Sequence, residues 1–480
     1  MSSHDVHNGC KCRGLCYMFW WILKCKAASL RRLQREIRDS FFVKKERFIN
    51  YLPPIQGMDK DTIKKLIVIS HEQDVKLVER DLKISFAGKI NTIIGPRRAG
   101  KTFFIYQKIN QLKSENKDKI IYINFEDERL LPIEREDLDL ILESYYELYP
   151  ENIGEKLYIF FDEIQTVPFW NLFLRRIYDR ENVEICVTGS SSKLLSKEIA
   201  TQLRGRTLTY LIFPYSFKEF LRARGVTLER HFEYTHLRYQ IKKLLQEYTL
   251  FGGFPEIAER DEPLKTKILQ EYFELIFYRD LVERYRIRNF GMVREMMLYL
   301  VNNFSSYFST NKYYNLLKSQ GKKVSKNTLF TYISCMADIN FIFLVPKYGK
   351  LKEQFANPKK VYLIDTGMIN AVAFKSSSDI GRLYENIVFI ELKRRGKEVY
   401  YWKNEYECDF LVKKGEEIKE AIQVCYNLTE ENREREIDGI TEAMEEFHLE
   451  EGLVITGDLE GEEISCGKVS YKPLWKWLLD

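Results

Sequence analysis

Between residues 82 and 213 short apolar runs alternate with amphipathic stretches. INTIIG (90–95), IIYINFE (120–126), KLYIFFDE (156–163) and VEICVTG (183–189) are almost unbroken hydrophobic segments, the pattern of strands covered on both faces in a parallel α/β sheet. From 215 to 300 the period changes: apolar positions recur at three- and four-residue spacing, with a Gly252-Gly253 turn before Pro255, which predicts a helical module. Residues 301–366 predict two helices and then two strands around Lys347–Pro358. Gly381 then opens a helix followed by strands YYW, CDFLV and AIQVCY, and PLWKWLL (473–479) reads as a closing strand and helix. No repeat or low-complexity linker interrupts this order.

Length and composition fit several cores. At 480 residues the chain has about three domains' worth of length. Its 45% hydrophobic and 14% aromatic content, with 145 charged residues, describes a folded, water-soluble chain. The longest apolar run near the start, Tyr17–Leu23, has seven residues against the roughly 20 that cross a bilayer. No secretory cleavage pattern follows it, so the expectation is a cytoplasmic protein with no membrane partner.

The net charge of +5 is unevenly spread: residues 1–57 carry net +7 and the remainder net −2. Any nucleic-acid surface must therefore be local. Four of nine cysteines, Cys10, Cys12, Cys16 and Cys25, lie in that basic leader. Their spacing matches no usual zinc pattern, and the segment reads either as a flexible leader or as sequence upstream of a start at Met58.

The chemistry concentrates first in GPRRAGKT (95–102), which fits G-x-x-x-x-G-K-[ST] between a predicted strand and a predicted helix, Thr102–Leu112. Gly95, Pro96, Arg97, Arg98, Ala99, Gly100, Lys101 and Thr102 are the candidate phosphate-binding residues for ATP. Backbone N–H groups would surround the phosphates, Lys101 would reach the β and γ oxygens, and Thr102 would ligate Mg²⁺. LYIFFDEIQ (157–165) ends an apolar strand in two carboxylates. Asp162 is the candidate for the Mg²⁺ shell and Glu163 for polarising the attacking water. The strand ICVTGSSSKLL (185–195) ends in hydroxyls, with Ser190 the candidate γ-phosphate sensor. In LRGRT (203–207), Arg206, and less so Arg204, is either an arginine finger for a neighbouring subunit in a homo-oligomer or a surface arginine paired to a nearby acid.

This succession resembles the AAA+ ATPases of archaea and bacteria that join a P-loop core to a C-terminal nuclease-like domain. It is carried by GPRRAGKT, YINFEDERL (122–130), FFDEIQ, TGSSSKLL, LRGRT with FPYSFKEFL (213–221), and FGGFPE (251–256). The resemblance implies ATP-driven switching and a division into a leader (1–57), an AAA+ core (58–213), a helical lid (214–300), a winged helix (301–366) and a restriction-endonuclease-like α/β domain (367–480). Residues 309–365 hold ten lysines against three acids, a local basic surface for double-stranded DNA or, alternatively, a protein-docking module.

In the last segment Glu385, Glu407 and Asp409 match the acids of a nuclease site. Gln423 and Cys425 stand where an acid and a water-orienting lysine are needed, so the expectation is an inactive nuclease-like domain, with Lys413, Lys414 and Lys419 as possible substitutes. Alternatives are an ATP-gated nuclease and an ATP-dependent scaffold that binds no DNA.

Overall fold

The computed structural model describes residues 58–189, 203, 205–373, 380–464 and 467–480. The leader with its four cysteines, Ser190 and Arg204 lie outside the described residues. No helix among the described residues is long and apolar enough to cross a membrane.

The body from Lys60 onward opens with helix α1 (Lys60–Glu72) and then a five-stranded parallel sheet: β1 (Ile90–Ile94), β2 (Ile120–Asn124), β3 (Leu157–Asp162), β4 (Val183–Gly189) and β5 (Thr207–Leu211), in the order β2-β3-β4-β1-β5. β1 to β4 are almost wholly buried, which is why they read as continuous apolar runs. β5 is an edge strand, half-exposed along its length; its alternation of Thr and Leu carries too weak a signal to stand apart from the LRGRT loop. α2 (Lys101–Asn116), α3 (Asp137–Leu148) and α4 (Trp170–Arg180) connect the strands. Register puts Asn124 level with Asp162, and Ile94 level with Gly189 and Leu211. The carboxyl ends of β1, β3 and β4 therefore share one edge, where open α/β sheets bind ligands.

The helical module follows with α5 (Phe217–Ala223), α6 (Leu237–Phe251) and α7 (Glu262–Leu275). α7 runs directly into an eight-residue π-helical segment, Ile276–Glu283, and α8 (Phe290–Asn302) comes next. α5 starts in a reciprocal cap, with the Ser216 hydroxyl accepting from Glu219 N at 3.1 Å and the Glu219 carboxylate accepting from Ser216 N at 2.9 Å.

Next come β6 (Ser306–Phe308), α9 (Thr310–Ser319), α10 (Lys326–Asp338), β7 (Ile342–Val345), α11 (Leu351–Ala356) and β8 (Lys359–Leu363). The three strands form an antiparallel sheet in the order β6-β8-β7. Beyond α12 (Thr366–Val372) and α13 (Ile380–Arg394), a six-stranded sheet has the order β13-β14-β12-β11-β10-β9, with ranges Glu398–Lys403 (β9), Glu407–Lys414 (β10), Glu417–Cys425 (β11), Glu451–Thr456 (β12), Gly461–Ile464 (β13) and Lys468–Pro473 (β14). α14 (Glu430–Glu446) joins β11 to β12, which pair in parallel, and α15 (Leu474–Trp477) closes the chain. A single core joins Phe217, Ile241 and Leu245 of the helical module to Val388, Phe410 and Trp475 of the last one.

Candidate functional site

The loop 95–100 leaves β1 at the shared carboxyl edge and delivers its last glycine as the N-cap of α2. Gly95 has φ 154° and Gly100 φ 95°, and a Cβ on Gly95 would run into the Ile212 carbonyl, so both positions require glycine. Arg98 is also left-handed, at φ 65°. Arg80, which the motif search passed over, braces this loop from beneath. Its guanidinium donates to Ala99 O at 2.8 Å and Phe213 O at 2.5 Å, and pairs with Glu219 at 3.1 Å. Its only signal in the sequence is an arginine in an otherwise unremarkable stretch before β1.

Inside the loop Lys101 is 6% exposed. Its Nζ donates weakly to the Gly95 and Pro96 carbonyls, both at 3.3 Å, and stands 3.7 Å from Glu163 Oε1. Thr102 donates its hydroxyl to Asp162 Oδ2 at 2.6 Å. Burial pushes the Asp162 carboxyl above its usual range, while hydrogen bonds from Thr102 and Thr188 act the other way. Glu163 turns away from the strand in a left-handed conformation, φ 50°, and accepts from the Gln165 amide. A non-glycine residue held there is a local strain of the kind that gathers at functional sites.

The hydroxyl at the end of β4 that contacts the acids is Thr188. It donates to Asp162 Oδ1 and accepts from Glu163 N at 3.0 Å. It lies two residues before Ser190, and the polar ending of VEICVTG was its signal.

The hydroxyl–carboxylate pair Thr102 and Asp162 suits Mg²⁺, a hard cation that takes few protein oxygens and completes its shell with water and phosphate. Around them Glu126 has its carboxyl pushed up, chiefly by burial and then by the nearby charge of Glu163. Arg97 approaches Glu126 to 3.9 Å. Arg284, in the residue following the π segment, forms no ion pair among the described residues. Its guanidinium is lowered from the usual value mainly by burial, while Asp280 and Glu163 raise it.

Thus the loop 95–102, Asp162 and Glu163 come together. Arg206 does not join them: it precedes β5 beside Ile90, at the opposite edge of the sheet, where it bonds Asp179 at 3.0 and 3.3 Å and covers the Tyr178 ring.

The C-terminal acids also converge, around a lysine that motif reading did not weigh; position 425 remains a cysteine. Lys360 of β8, 3% exposed, lies 3.0 Å from Glu385, 2.7 Å from Glu407 and 2.7 Å from Asp409. Tyr362 donates to Glu385 at 2.6 Å. This corrects two expectations. The cation comes from upstream of the acids rather than from Lys413, Lys414 or Lys419, and Lys360 is withdrawn from the basic face on which it was counted. Lys322 is also engaged, by Glu295. Gln423 accepts from Asp409 N at 3.0 Å and donates to Glu436 at 2.6 Å, and Cys425 is buried. No group of three or more His, Cys, Asp or Glu side chains among the described residues is arranged to hold a metal ion.

Comparison with known proteins identifies the first part of the chain. A AAA domain model matches residues 87–221; two domains of unknown function, DUF8612 and DUF4143, match 242–379 and 380–477. Among solved structures, the chain has a partial likeness to the Walker-type ATPase PABY2304 of Pyrococcus abyssi, at 16% identity over 66% of this chain and 95% of that one with a TM-score of 0.40. The Aeropyrum pernix ORC1 protein in complex with DNA aligns at 13% identity over 65% and 90%, with a TM-score of 0.29. An uncharacterized protein of Methanocaldococcus jannaschii is 41% identical over 84% of this chain and 91% of its own length. One from Haemophilus influenzae is 30% identical over 80% and 94%. The chain belongs to the family of these archaeal and bacterial proteins, and its core is an AAA domain.

Proposed function

We propose that the protein binds and hydrolyses Mg²⁺·ATP at the loop 95–102 and uses the cycle to drive a conformational switch. The observation that carries this reading is the convergence of the glycine-bounded loop, Lys101, Thr102 bonded to Asp162, and a strained Glu163 at one sheet edge. Thr102 and Asp162 would hold Mg²⁺, which would supply positive charge to offset the charge developing on the phosphates. Lys101 neutralises phosphate charge, Asp162 and Thr102 offer the metal its protein oxygens, and Glu163 orients the attacking water. Ser190 is retained as the γ-phosphate contact. Arg206 acts, if a neighbouring subunit engages it, only after leaving Asp179. Mixing Arg206→Ala with Glu163→Gln protein should restore some turnover in that case, and no recovery at any mixing ratio despite subunit exchange points to a finger in cis or to none.

The module 301–366 is read as a winged helix that meets double-stranded DNA. Lys323 and Lys326 are exposed at the start of α10, whose N-cap Ser325 accepts from Thr328 N at 3.0 Å, and Lys350 precedes α11. Phosphate contacts of this kind weaken steeply with salt. Substituting all three lysines by Glu should abolish duplex binding; unchanged affinity favours the protein-docking scaffold.

The C-terminal domain is read as nuclease-like and inactive. The ATP-gated nuclease is the second reading, and Lys360 among Glu385, Glu407 and Asp409 is the observation in its favour. Incubation with DNA and RNA in Mg²⁺ or Mn²⁺ with ATP separates the two: cleavage abolished by Asp409→Ala establishes the nuclease. The principal test is ATP turnover with and without duplex DNA. Lys101→Ala should lose nucleotide binding, and binding equal to wild type defeats the assignment.

A further inference from the structure

The two arginines that distinguish this phosphate loop do not point at open solvent. Both reach the helical module. Arg97 Nε donates to Asp280 Oδ1 at 2.9 Å, and Arg98 Nη1 donates to Glu256 Oε2 at 3.1 Å while its guanidinium lies over the Tyr272 ring. Tyr272 in turn donates to the Glu256 carboxylate. Glu256 follows Pro255 in the FGGFPE segment, and Pro255 packs against the face of Gly100 where a Cβ would stand, at 3.7 Å. That segment is fixed from behind, because Asp365 Oδ2 accepts from Gly253 N at 2.7 Å.

Asp280 is the more unusual partner. It is 4% exposed and sits in the π-helical segment Ile276–Glu283, sharing its buried face with Ile276, Phe277 and Leu281. A π-helical run is rare and less favourable than α-helix, and such insertions cluster at functional positions. Here it turns a carboxylate out of an apolar core toward a loop 183 residues earlier in the chain. Among the described residues Asp280 makes its ion pair with Arg97, with Arg284 and Lys101 acting on it only through longer-range charge, and Arg97 belongs to the loop assigned to phosphate.

We propose that the Arg97–Asp280 ion pair is a nucleotide-sensitive latch between the phosphate loop and the helical module, which a triphosphate opens by taking the Arg97 guanidinium from Asp280. The inference rests on reading 95–102 as a nucleotide site. A triphosphate seated there brings several negative charges beside a buried carboxylate, which is repelled, and offers the guanidinium a competing partner of the geometry it prefers. Asp280 left without Arg97 is a buried charge that keeps only the weaker influence of Arg284 and Lys101, a cost that the π segment relieves by moving or rewinding. The Arg98–Glu256 pair, more exposed, holds the neighbouring turn as a hinge during that movement. By linkage, a change that loosens the latch from the Asp280 side, leaving Arg97 for the phosphates, must tighten triphosphate binding by the same factor.

The test measures binding of a fluorescent ATP analogue and amide hydrogen exchange across 262–302 in wild type, Lys101→Ala, Asp280→Asn and Arg97→Gln. Asp280→Asn should bind the analogue roughly fivefold or more tighter, and its 276–283 amides should exchange fast without nucleotide. Wild type should reach that rate only with nucleotide. Arg97→Gln should free the same amides while binding nucleotide more weakly. The double variant should free them no further than either single change, because both remove one interaction. Unchanged or weaker binding by Asp280→Asn, with Lys101→Ala unable to bind, overturns the latch and leaves the nucleotide site standing. Wild-type binding by Lys101→Ala overturns the nucleotide site itself. Exchange at 276–283 that ignores nucleotide in the wild type overturns the latch whatever the affinities are.

Discussion

Lys101 and Lys360 are both buried lysines that face carboxylates, and they are held in opposite ways. Lys101 stands 3.7 Å from Glu163 and makes two long contacts to carbonyls of its own loop. Lys360 has three carboxylates at 3.0 Å or closer and is 3% exposed. The first ammonium is underused where it lies, in a loop whose backbone is bent to receive something else. The second is saturated, and its carboxylates are saturated by it, by Tyr362 and by Val424 N, which donates to Asp409 at 3.0 Å. Proximity of Lys to Asp and Glu is thus common to a site prepared for a ligand and to one already closed on itself. The strength of the existing contacts separates them.

Breaking the open site should cost activity and spare the fold. Glu163→Gln should retain nucleotide binding and lose turnover by about 10²–10⁴, read as phosphate release at saturating ATP, with thermal stability near wild type. Turnover within tenfold of wild type would remove Glu163 from the chemistry and direct attention to Glu126.

Breaking the closed site should do the reverse. Lys360→Ala leaves three carboxylates without their cation, which for a buried pair costs about 3–5 kcal/mol. Denaturant unfolding should show that loss, and nucleotide binding below the transition should persist. Lys360→Met should recover part of it only in combination with neutral replacements at 385 and 409. If Lys360→Ala is as stable as wild type, the carboxylates have taken another cation and the site is open after all. A smaller effect is expected on adding Mg²⁺ or Mn²⁺ without nucleotide, because the ammonium fills the cluster. The melting temperature should stay unchanged in wild type, and a rise that disappears in Asp409→Asn would reverse the comparison.

The two sites also differ in how far the sequence reveals them. The phosphate loop is eight consecutive residues between an apolar strand and a helix, and Asp162 with Glu163 ends another apolar strand, so each piece is local and its spacing is legible. β5 escapes because an edge strand needs no unbroken apolar run. Thr188 escapes because a hydroxyl-rich stretch gives no sign of which of its hydroxyls reach the acids. Lys360 meets Glu385 and Asp409 across separations of 25 and 49 residues, and Arg97 meets Asp280 across 183. Such contacts depend on how β8 and the π segment pack, and periodicity says nothing about them. Counting lysines gave Lys360 to the surface; burial gives it to the core.

The closed site has one further consequence, in its protons. Three carboxylates share one ammonium, so an acid is pressed to stay neutral. Burial pushes the Asp409 carboxyl up to about 7, against the pull of Lys360 and with the push of Glu385. Glu407 moves the other way and is held below its usual value by Lys360, although burial acts to raise it. For Asp409 the native state holds its proton more tightly than the unfolded chain, whose Asp titrates near ~3.9. Its contribution to stability is therefore complete below about pH 4 and is lost as pH rises toward about 7, by up to about tenfold in the folding constant per pH unit. The Glu407 term has the opposite sign and begins to fade only below its own unfolded value, and Asp365, pushed up to about 6 by burial, titrates between pH 5 and 7 in wild type and Asp409→Asn alike, so the difference between the two proteins in that window reports Asp409. Denaturant midpoints at pH 5, 6 and 7 should fall for wild type relative to Asp409→Asn, which has no proton to lose at that position. Parallel pH profiles would mean that Asp409 is ionised throughout and that Lys360 neutralises the cluster alone.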